Sequence, residues 1–294
     1  MECMVAPPFS DPVELLRRHL VRRVRSTFND ASQGEAPVAI SDEALFARDT
    51  PIRMVHADIV GMLVGGMASL LLQMLHPHAL QGVLDFSDFR ADMHGRLRAT
   101  ARFIAVTTYG HRDDAEAAIA RVNRIHEHVH GTLPDGTPYS ALDPRTLAWV
   151  HLAEATMFLE AYLVHVRPDM PMTEQDEYFR QFAIIGRRLG ADPVPESKAE
   201  AQAMFRDLRA DLRSGPEARE VAALVVSGRI EGAMTGVQPF LADAAVALIP
   251  PFARTMLGLD APGLRMVPSR MVTRAMGSTL RWAFRQNPAA RSER

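Results

Sequence analysis

Apolar residues recur at helical spacing along nearly the whole chain after residue 51, and alternating strand patterns are almost absent. Such spacing is typical of amphipathic and buried helices. It predicts helices over roughly 52–75, 78–84, 91–109, 113–130, 144–166, 173–190, 196–213, 216–227, 237–246, 250–257 and 267–286. The sequence therefore predicts an all-α fold. A multi-helix domain over 51–290 follows a variable helical lead-in over 1–50.

The segment 59–75 contains no charged residue. It is shorter than the roughly 20 residues that usually span a membrane, and Gln73 interrupts its end. We therefore predict a buried core helix in which Gly61 and Gly65, at GxxxG spacing, let another helix approach closely. Membrane contact is the alternative for this segment. For the basic helix over 267–286 we predict a helix that packs on the body and presents a solvated Arg face. Peripheral contact with an anionic membrane surface is the alternative.

Composition excludes several classes of function. The formal net charge of −2 provides no basic field for a nucleic acid. The single cysteine excludes an intramolecular disulfide, a CxxC zinc site and covalent haem attachment. The first 30 residues lack the apolar core of a signal peptide, which predicts a cytoplasmic protein. The phosphate-binding, dinucleotide-binding and serine-nucleophile motifs are also absent from the sequence.

Three histidines stand close together in RIHEHVHG, residues 124–131. On a helix over 113–130 they point in different directions, because each residue turns the helix by about 100°. His126 falls inside the apolar face, His130 lies at its edge, and His128 points outward. We therefore expect His126 alone of the three to lie in the interior.

Two other helices carry polar side chains on apolar faces. Arg96 and Thr100 fall inside the apolar face of the helix over 91–109. A buried Arg is rare unless it is paired, so Arg96 requires an internal carboxylate or an anionic ligand. His151 shares a face with apolar residues of the helix that begins at Pro144. Together these residues predict a polar-lined internal pocket.

Three kinds of site fit this pocket. His126 and His130 in an HExxH match could bind zinc, with Glu127 as the base and Glu154 as a candidate third ligand. A haem-free pocket could hold a lipid or another carboxylate through Arg96. A non-covalent haem requires one axial His, apolar walls and an Arg for its propionates, and His126 and Arg96 meet that description.

The order of several short motifs resembles the family that includes the bacterial latex-clearing protein (rubber oxygenase) and the fungal oxygenase MpaB. These motifs are GGMASLLLQMLHP (65–77), DFRADMHGRLRAT (88–100), HEHVHG (126–131), DGTPYSALDP (135–144) and WVH (149–151). Their order and spacing hold over about residues 50–190. The resemblance implies an all-α, globin-like helical core.

The resemblance also implies a function. Characterised members bind haem b non-covalently through one axial His and use dioxygen to cleave carbon–carbon double bonds of isoprenoid chains. By position, His126 is the axial ligand to the iron, and Arg96 and Thr100 are the catalytic pair beside the haem. His151 is a pocket residue, or alternatively the ligand itself. We therefore expect a haem-dependent oxygenase that acts on an apolar small molecule, with isoprenoids as one candidate class.

Two positions depart from the family pattern. Many members have His-Ser where this chain has Phe86 and Ser87. The latex-clearing enzymes place a Lys directly before the Thr, and this chain has Ala99 there. A lysine that caps the resting iron is therefore missing.

Overall fold

The structure is a computed structural model that describes residues 36–87, 93–227 and 238–259, together with residue 15 and a few positions between 271 and 282. Most of the predicted lead-in and the predicted basic helix over 267–286 lie outside the described residues. Within the described ranges the chain is helical apart from turns and one small hairpin, which confirms the all-α prediction.

The helices have the following bounds. They are α1 Pro51–Ala57, α2 Ile59–Gln73, α3 Pro77–Phe86, α4 Met93–Tyr109, α5 Arg112–His126, α6 Pro144–His165, α7 Met172–Arg188, α8 Lys198–Leu208, α9 Pro216–Ser227, α10 Gln238–Leu248 and α11 Pro251–Leu257. A short 3₁₀ helix, Arg209–Asp211, follows α8. The strands β1 His130–Thr132 and β2 Pro138–Ser140 pair in antiparallel fashion, with Gly131 opposite Tyr139.

The predicted single helix over 52–75 is wrong, because the chain turns by 90° between α1 and α2. Asp58 stands at the corner in an extended conformation, and its side chain accepts a hydrogen bond from the backbone N–H of Gly61 at 2.7 Å. That bond caps the start of α2, since the first N–H groups of a helix have no partner inside it. The corner lets α1 pack on α4 and α7 while α2 enters the core.

The centre of the molecule is the pair of helices α2 and α6, which pack along each other. Gly65 lies directly against α6, where a Cβ would be 2.8 Å from the carbonyl oxygen of Met157. The indole N–H of the fully buried Trp149 donates to the carbonyl oxygen of Leu72 at 3.1 Å. The prediction of a buried helix with a close approach at Gly65 is therefore confirmed.

One of the two central helices also meets the length and composition that a membrane span requires. Among the described residues, α6 alone is long and apolar enough to cross a membrane as a single helix, and most of its apolar window is buried inside the protein. The bent pairs α1–α2 and α10–α11 meet the same test only if each pair forms one span. The α2 segment instead packs on α6 and α10.

Candidate functional site

The candidate site lies between two groups of helices that face each other without packing closely. α5 packs on α4, and α4 packs on α1, but in the described part of the chain neither α4 nor α5 packs closely on α2 or α6. Arg96 on α4 and Glu154 on α6 nevertheless influence each other electrostatically. Both side chains are partly buried. We call the region between these two side chains the α4–α6 gap.

His126 is the last residue of α5 and is half-buried. Its Nδ1 atom is buried without a hydrogen-bond partner, and neither ring nitrogen is hydrogen-bonded to any residue that the structure describes. Burial, and after it the positive charge of Arg96, lower the pKa of His126. The imidazole is therefore neutral at pH 7, which is the form that binds a metal ion.

The other two histidines of RIHEHVHG lie away from this gap. The helix predicted over 113–130 ends at His126, and Glu127 and His128 continue it as a turn. His130 is the first residue of β1 and is exposed. The HExxH arrangement requires two histidines one turn apart on one helix, so it is not formed. Throughout the described ranges, no three His, Cys, Asp or Glu side chains are placed to hold a metal ion.

Arg96 lies three residues after the start of α4. Burial lowers the pKa of its guanidinium, and the charge of Glu154 partly offsets that effect. An arginine stays charged even so. Among the described residues no carboxylate lies within 4.0 Å of Arg96. Other arginines do form ion pairs, such as Arg167 with Glu174 at 2.6 Å. Within the described residues, the guanidinium therefore has no ion-pair partner.

Glu154 is the carboxylate on the opposite side of the gap. Its Oε1 atom accepts a hydrogen bond from the amide of Gln73 on α2, at the long distance of 3.4 Å. Burial raises the pKa of Glu154 to about 7, although Gln73 and Arg96 both act to lower it. A carboxyl group of this kind is partly protonated near neutral pH. Spacing along the chain pointed to Glu154 as a candidate zinc ligand and gave no sign of its contact with Gln73.

Thr100 lies one turn after Arg96. The prediction that Thr100 belongs to the interior face of this helix is wrong, because the residue is exposed, as is Ala99 beside it. The hydroxyl of Thr100 donates to the backbone carbonyl oxygen of Arg96 at 3.1 Å. Because residues four apart share a helix face, Thr100 extends the Arg96 face toward solvent. Leu97 and Phe103 on the same helix are only partly covered and pack against the edge of the core. This part of α4 thus presents both polar and apolar surface.

His151 is buried, as predicted, but it faces α7. Its ring lies 4.9 Å from the ring of Phe182, between centroids, and it packs on Gly186. The Nε2 atom is buried without a hydrogen-bond partner. Burial, and then the charge of Arg187, lower the pKa of His151 to about 4. Arg96 thus influences both His126 and Glu154 electrostatically, and His151 lies at the neighbouring α6–α7 interface.

Comparison with known proteins identifies a family. The family model described as "ER-bound oxygenase mpaB/B'/Rubber oxygenase, catalytic domain" matches residues 53–282. The matched region contains Arg96, Thr100, His126, His151 and Glu154. No curated protein and no solved structure matches the chain.

Proposed function

Because the chain belongs to the family of the mpaB and rubber oxygenase catalytic domain, we propose that it is a haem-b-dependent oxygenase that uses dioxygen to oxidise or cleave an apolar small molecule. Membership of the family gives the oxygenase class. The haem, the substrate and the residues that bind them are the proposal.

The observation that supports the haem most strongly is that the charge of Arg96 acts on the partly buried imidazole of His126. A non-covalent haem requires a neutral imidazole for its iron, a cation for its propionates and apolar walls. His126 has a buried ring nitrogen without a partner, and Arg96 has no carboxylate within 4.0 Å among the described residues. Leu97 and Phe103 supply apolar surface on the same side. The residues present therefore fit the group.

In this proposal His126 would hold the iron and Arg96 would hold a propionate. When bound, haem supplies an iron centre that activates dioxygen. Thr100 offers a hydroxyl at the outer end of the Arg96 face, and the partly covered apolar side chains of α4 bind the substrate. Ala99 stands where latex-clearing enzymes carry a lysine, so that position provides no amine to occupy the iron.

The test is the absorbance spectrum of the purified protein with and without added hemin. We expect a Soret band that His126→Ala greatly weakens. His128→Ala is the matched control, because His128 is exposed and its Nδ1 atom lies 2.8 Å from the backbone oxygen of Arg124. His126→Gly with added imidazole should recover the band, which would separate lost coordination from lost folding. A protein that stays colourless with hemin would refute the proposal.

Arg96, which has no ion-pair partner in the described part of the chain, also favours a second candidate, a haem-free protein that binds a lipid carboxylate. Arginine is well suited to carboxylates, because its planar guanidinium can donate two parallel hydrogen bonds. Native mass spectrometry of the purified protein separates the two functions. A bound fatty acid without porphyrin supports the second, and a porphyrin mass lost in His126→Ala supports the first.

A further inference from the structure

We propose that Asn123 is the positioning residue of His126. In this proposal the side-chain carbonyl of Asn123 accepts a hydrogen bond from Nδ1–H of His126, which leaves Nε2 as the bare nitrogen that binds a ligand. The inference rests on the proposed function, in which that ligand is the haem iron. It adds to the site a residue of α5 that no sequence pattern singled out.

The orientation of the Asn123 amide is fixed by its contact with the end of α7. Its Nδ2 atom donates to the backbone carbonyl oxygen of Arg188 at 2.9 Å. A carbonyl oxygen can only accept a hydrogen bond, so the amino end of the amide must face Arg188. The Oδ1 atom of Asn123 is buried without a hydrogen-bond partner. A buried acceptor of this kind is costly unless a donor reaches it.

His126 stands one turn after Asn123 on the same helix. Residues three apart on a helix are neighbours on its surface, and long side chains lean back over the preceding turn. That direction leads from His126 toward Asn123. The Nδ1 atom of His126 is also buried without a partner. Two buried, unsatisfied polar atoms therefore belong to neighbouring side chains on one face of α5.

The chemistry of these two atoms decides which ring nitrogen carries the proton. Because Oδ1 of Asn123 can only accept, Nδ1 of His126 must be the donor, and Nε2 keeps its lone pair. Among the described residues no hydrogen bond holds either ring nitrogen, so none opposes the rotation of the imidazole that brings Nδ1 to Oδ1. Hydrogen bonds of this kind orient most histidines that bind metals.

A second contact ties the same face of α5 to α7. Glu116, two turns before Asn123, forms an ion pair with the guanidinium of Arg188. Breaking this ion pair loosens the contact between the two helices and leaves the acceptor beside His126 in place. Glu116→Gln is therefore the matched control for variants of Asn123.

The first measurement needs no haem. Nitrogen NMR of the full-length protein with isotope-labelled histidine locates the imidazole proton at about pH 8, where the ring is neutral. His126→Gln identifies the signals of His126 by their loss. We expect Nδ1 to carry the proton in the native protein and in Glu116→Gln, and the proton to move toward Nε2 in Asn123→Leu. The same proton position in Asn123→Leu as in the native protein would overturn the inference.

The second measurement uses protein loaded with hemin. Asn123→Leu should weaken hemin binding by about 10–100-fold, the usual effect of losing a residue that orients a metal ligand. The iron–histidine stretching frequency of the reduced protein should fall in Asn123→Leu and rise in Asn123→Asp, because a carboxylate accepts more strongly than an amide. A purely structural loss would shift both variants in the same direction.

The two measurements separate this inference from the haem function. Hemin that fails to bind the native protein, together with a proton held at Nδ1 by Asn123, would refute the haem function and support the positioning role. Hemin that binds through His126, with an unchanged proton position and stretching frequency in the Asn123 variants, would support the function and refute the inference. Absence of both hemin binding and an effect of Asn123→Leu would refute both.

Discussion

Gly65 and Met157 bring the backbones of the two central helices into contact. A Cβ on Gly65 would lie 2.8 Å from the carbonyl oxygen of Met157 and 2.9 Å from the Cα of Phe158. These are backbone atoms, which cannot rotate aside as a flexible side chain can. The α2–α6 pair, and with it the position of Glu154 and Gln73, therefore depends on a glycine at this position.

Gly65→Ala should lower the free energy of unfolding by roughly 2–4 kcal/mol, because an added methyl group must separate two packed helices. Gly66 is the matched control. A Cβ there would meet only Cε1 of Phe158, at 3.7 Å, which is an ordinary contact. Gly66→Ala should be neutral or stabilise α2 by up to about 1 kcal/mol through helix propensity. Denaturant unfolding measures both, and similar losses for the two variants would contradict the packing described.

The helix-forming pattern could be read from the sequence, but where helices stop was harder to predict. The apolar period runs through Asp58, yet the chain turns there because the side chain of Asp58 caps α2. The same period predicts a helix to residue 130, yet His130 pairs with Ser140 in the hairpin. Ile125, expected on the apolar face, is 52% exposed. A periodic pattern cannot show a strand pairing with residues ten positions away.

The candidate site was predictable only in part, for the same reason. Helical phase placed His126 and Arg96 toward the interior, and both are partly buried. The phase also placed His151 inside, but it could not show that the ring faces α7. The contact of Glu154 with Gln73 joins residues 81 positions apart. Such contacts depend on how helices cross, which spacing within one helix does not encode.

Gly186→Ala should displace the ring of His151. A Cβ at Gly186 would lie 2.9 Å from the Cγ, Nδ1 and Cε1 atoms of that ring. We expect a loss of roughly 1–3 kcal/mol in the free energy of unfolding. In a His151→Ala background the added methyl group finds space, so the loss should largely disappear. A double-mutant cycle measures this coupling, and additive losses would show that the two residues do not compete for one space.

His56 should make the protein sensitive to mild acid. Its ring is buried among Phe158, Tyr178 and Phe182, and its Nδ1 atom lies 2.9 Å from the hydroxyl oxygen of Thr108. Burial lowers the pKa of His56 from 6.5 to about 3. The unfolded chain therefore binds a proton between these values that the folded chain does not bind, so stability rises with pH over this range. The contribution of His56 to stability is fully present above about pH 6.5.

The measurement for His56 is the free energy of unfolding from about pH 7 down to pH 5, where this residue should account for a loss of about 2 kcal/mol. In His56→Gln that part of the loss should be absent, although the variant is less stable at neutral pH because it buries an amide. His128→Gln, at an exposed position, serves as the control and should keep the native slope. A native slope in His56→Gln would contradict the assignment.

Glu154→Gln should stabilise the protein, and the effect should grow with pH. Burial raises the pKa of Glu154 from 4.5 to about 7. Between these values the folded chain keeps a proton that the unfolded chain releases, so the native protein loses stability as pH rises through this window. The amide of the variant carries no charge to bury. The free energy of unfolding of Glu154→Gln should therefore exceed the native value by an amount that increases by roughly 2–3 kcal/mol from about pH 4.5 to pH 8.

Glu127→Gln, which alters an exposed carboxylate at the end of α5, should show a constant difference. Parallel curves for the native protein and Glu154→Gln would mean that Glu154 is solvated rather than held at the α4–α6 gap.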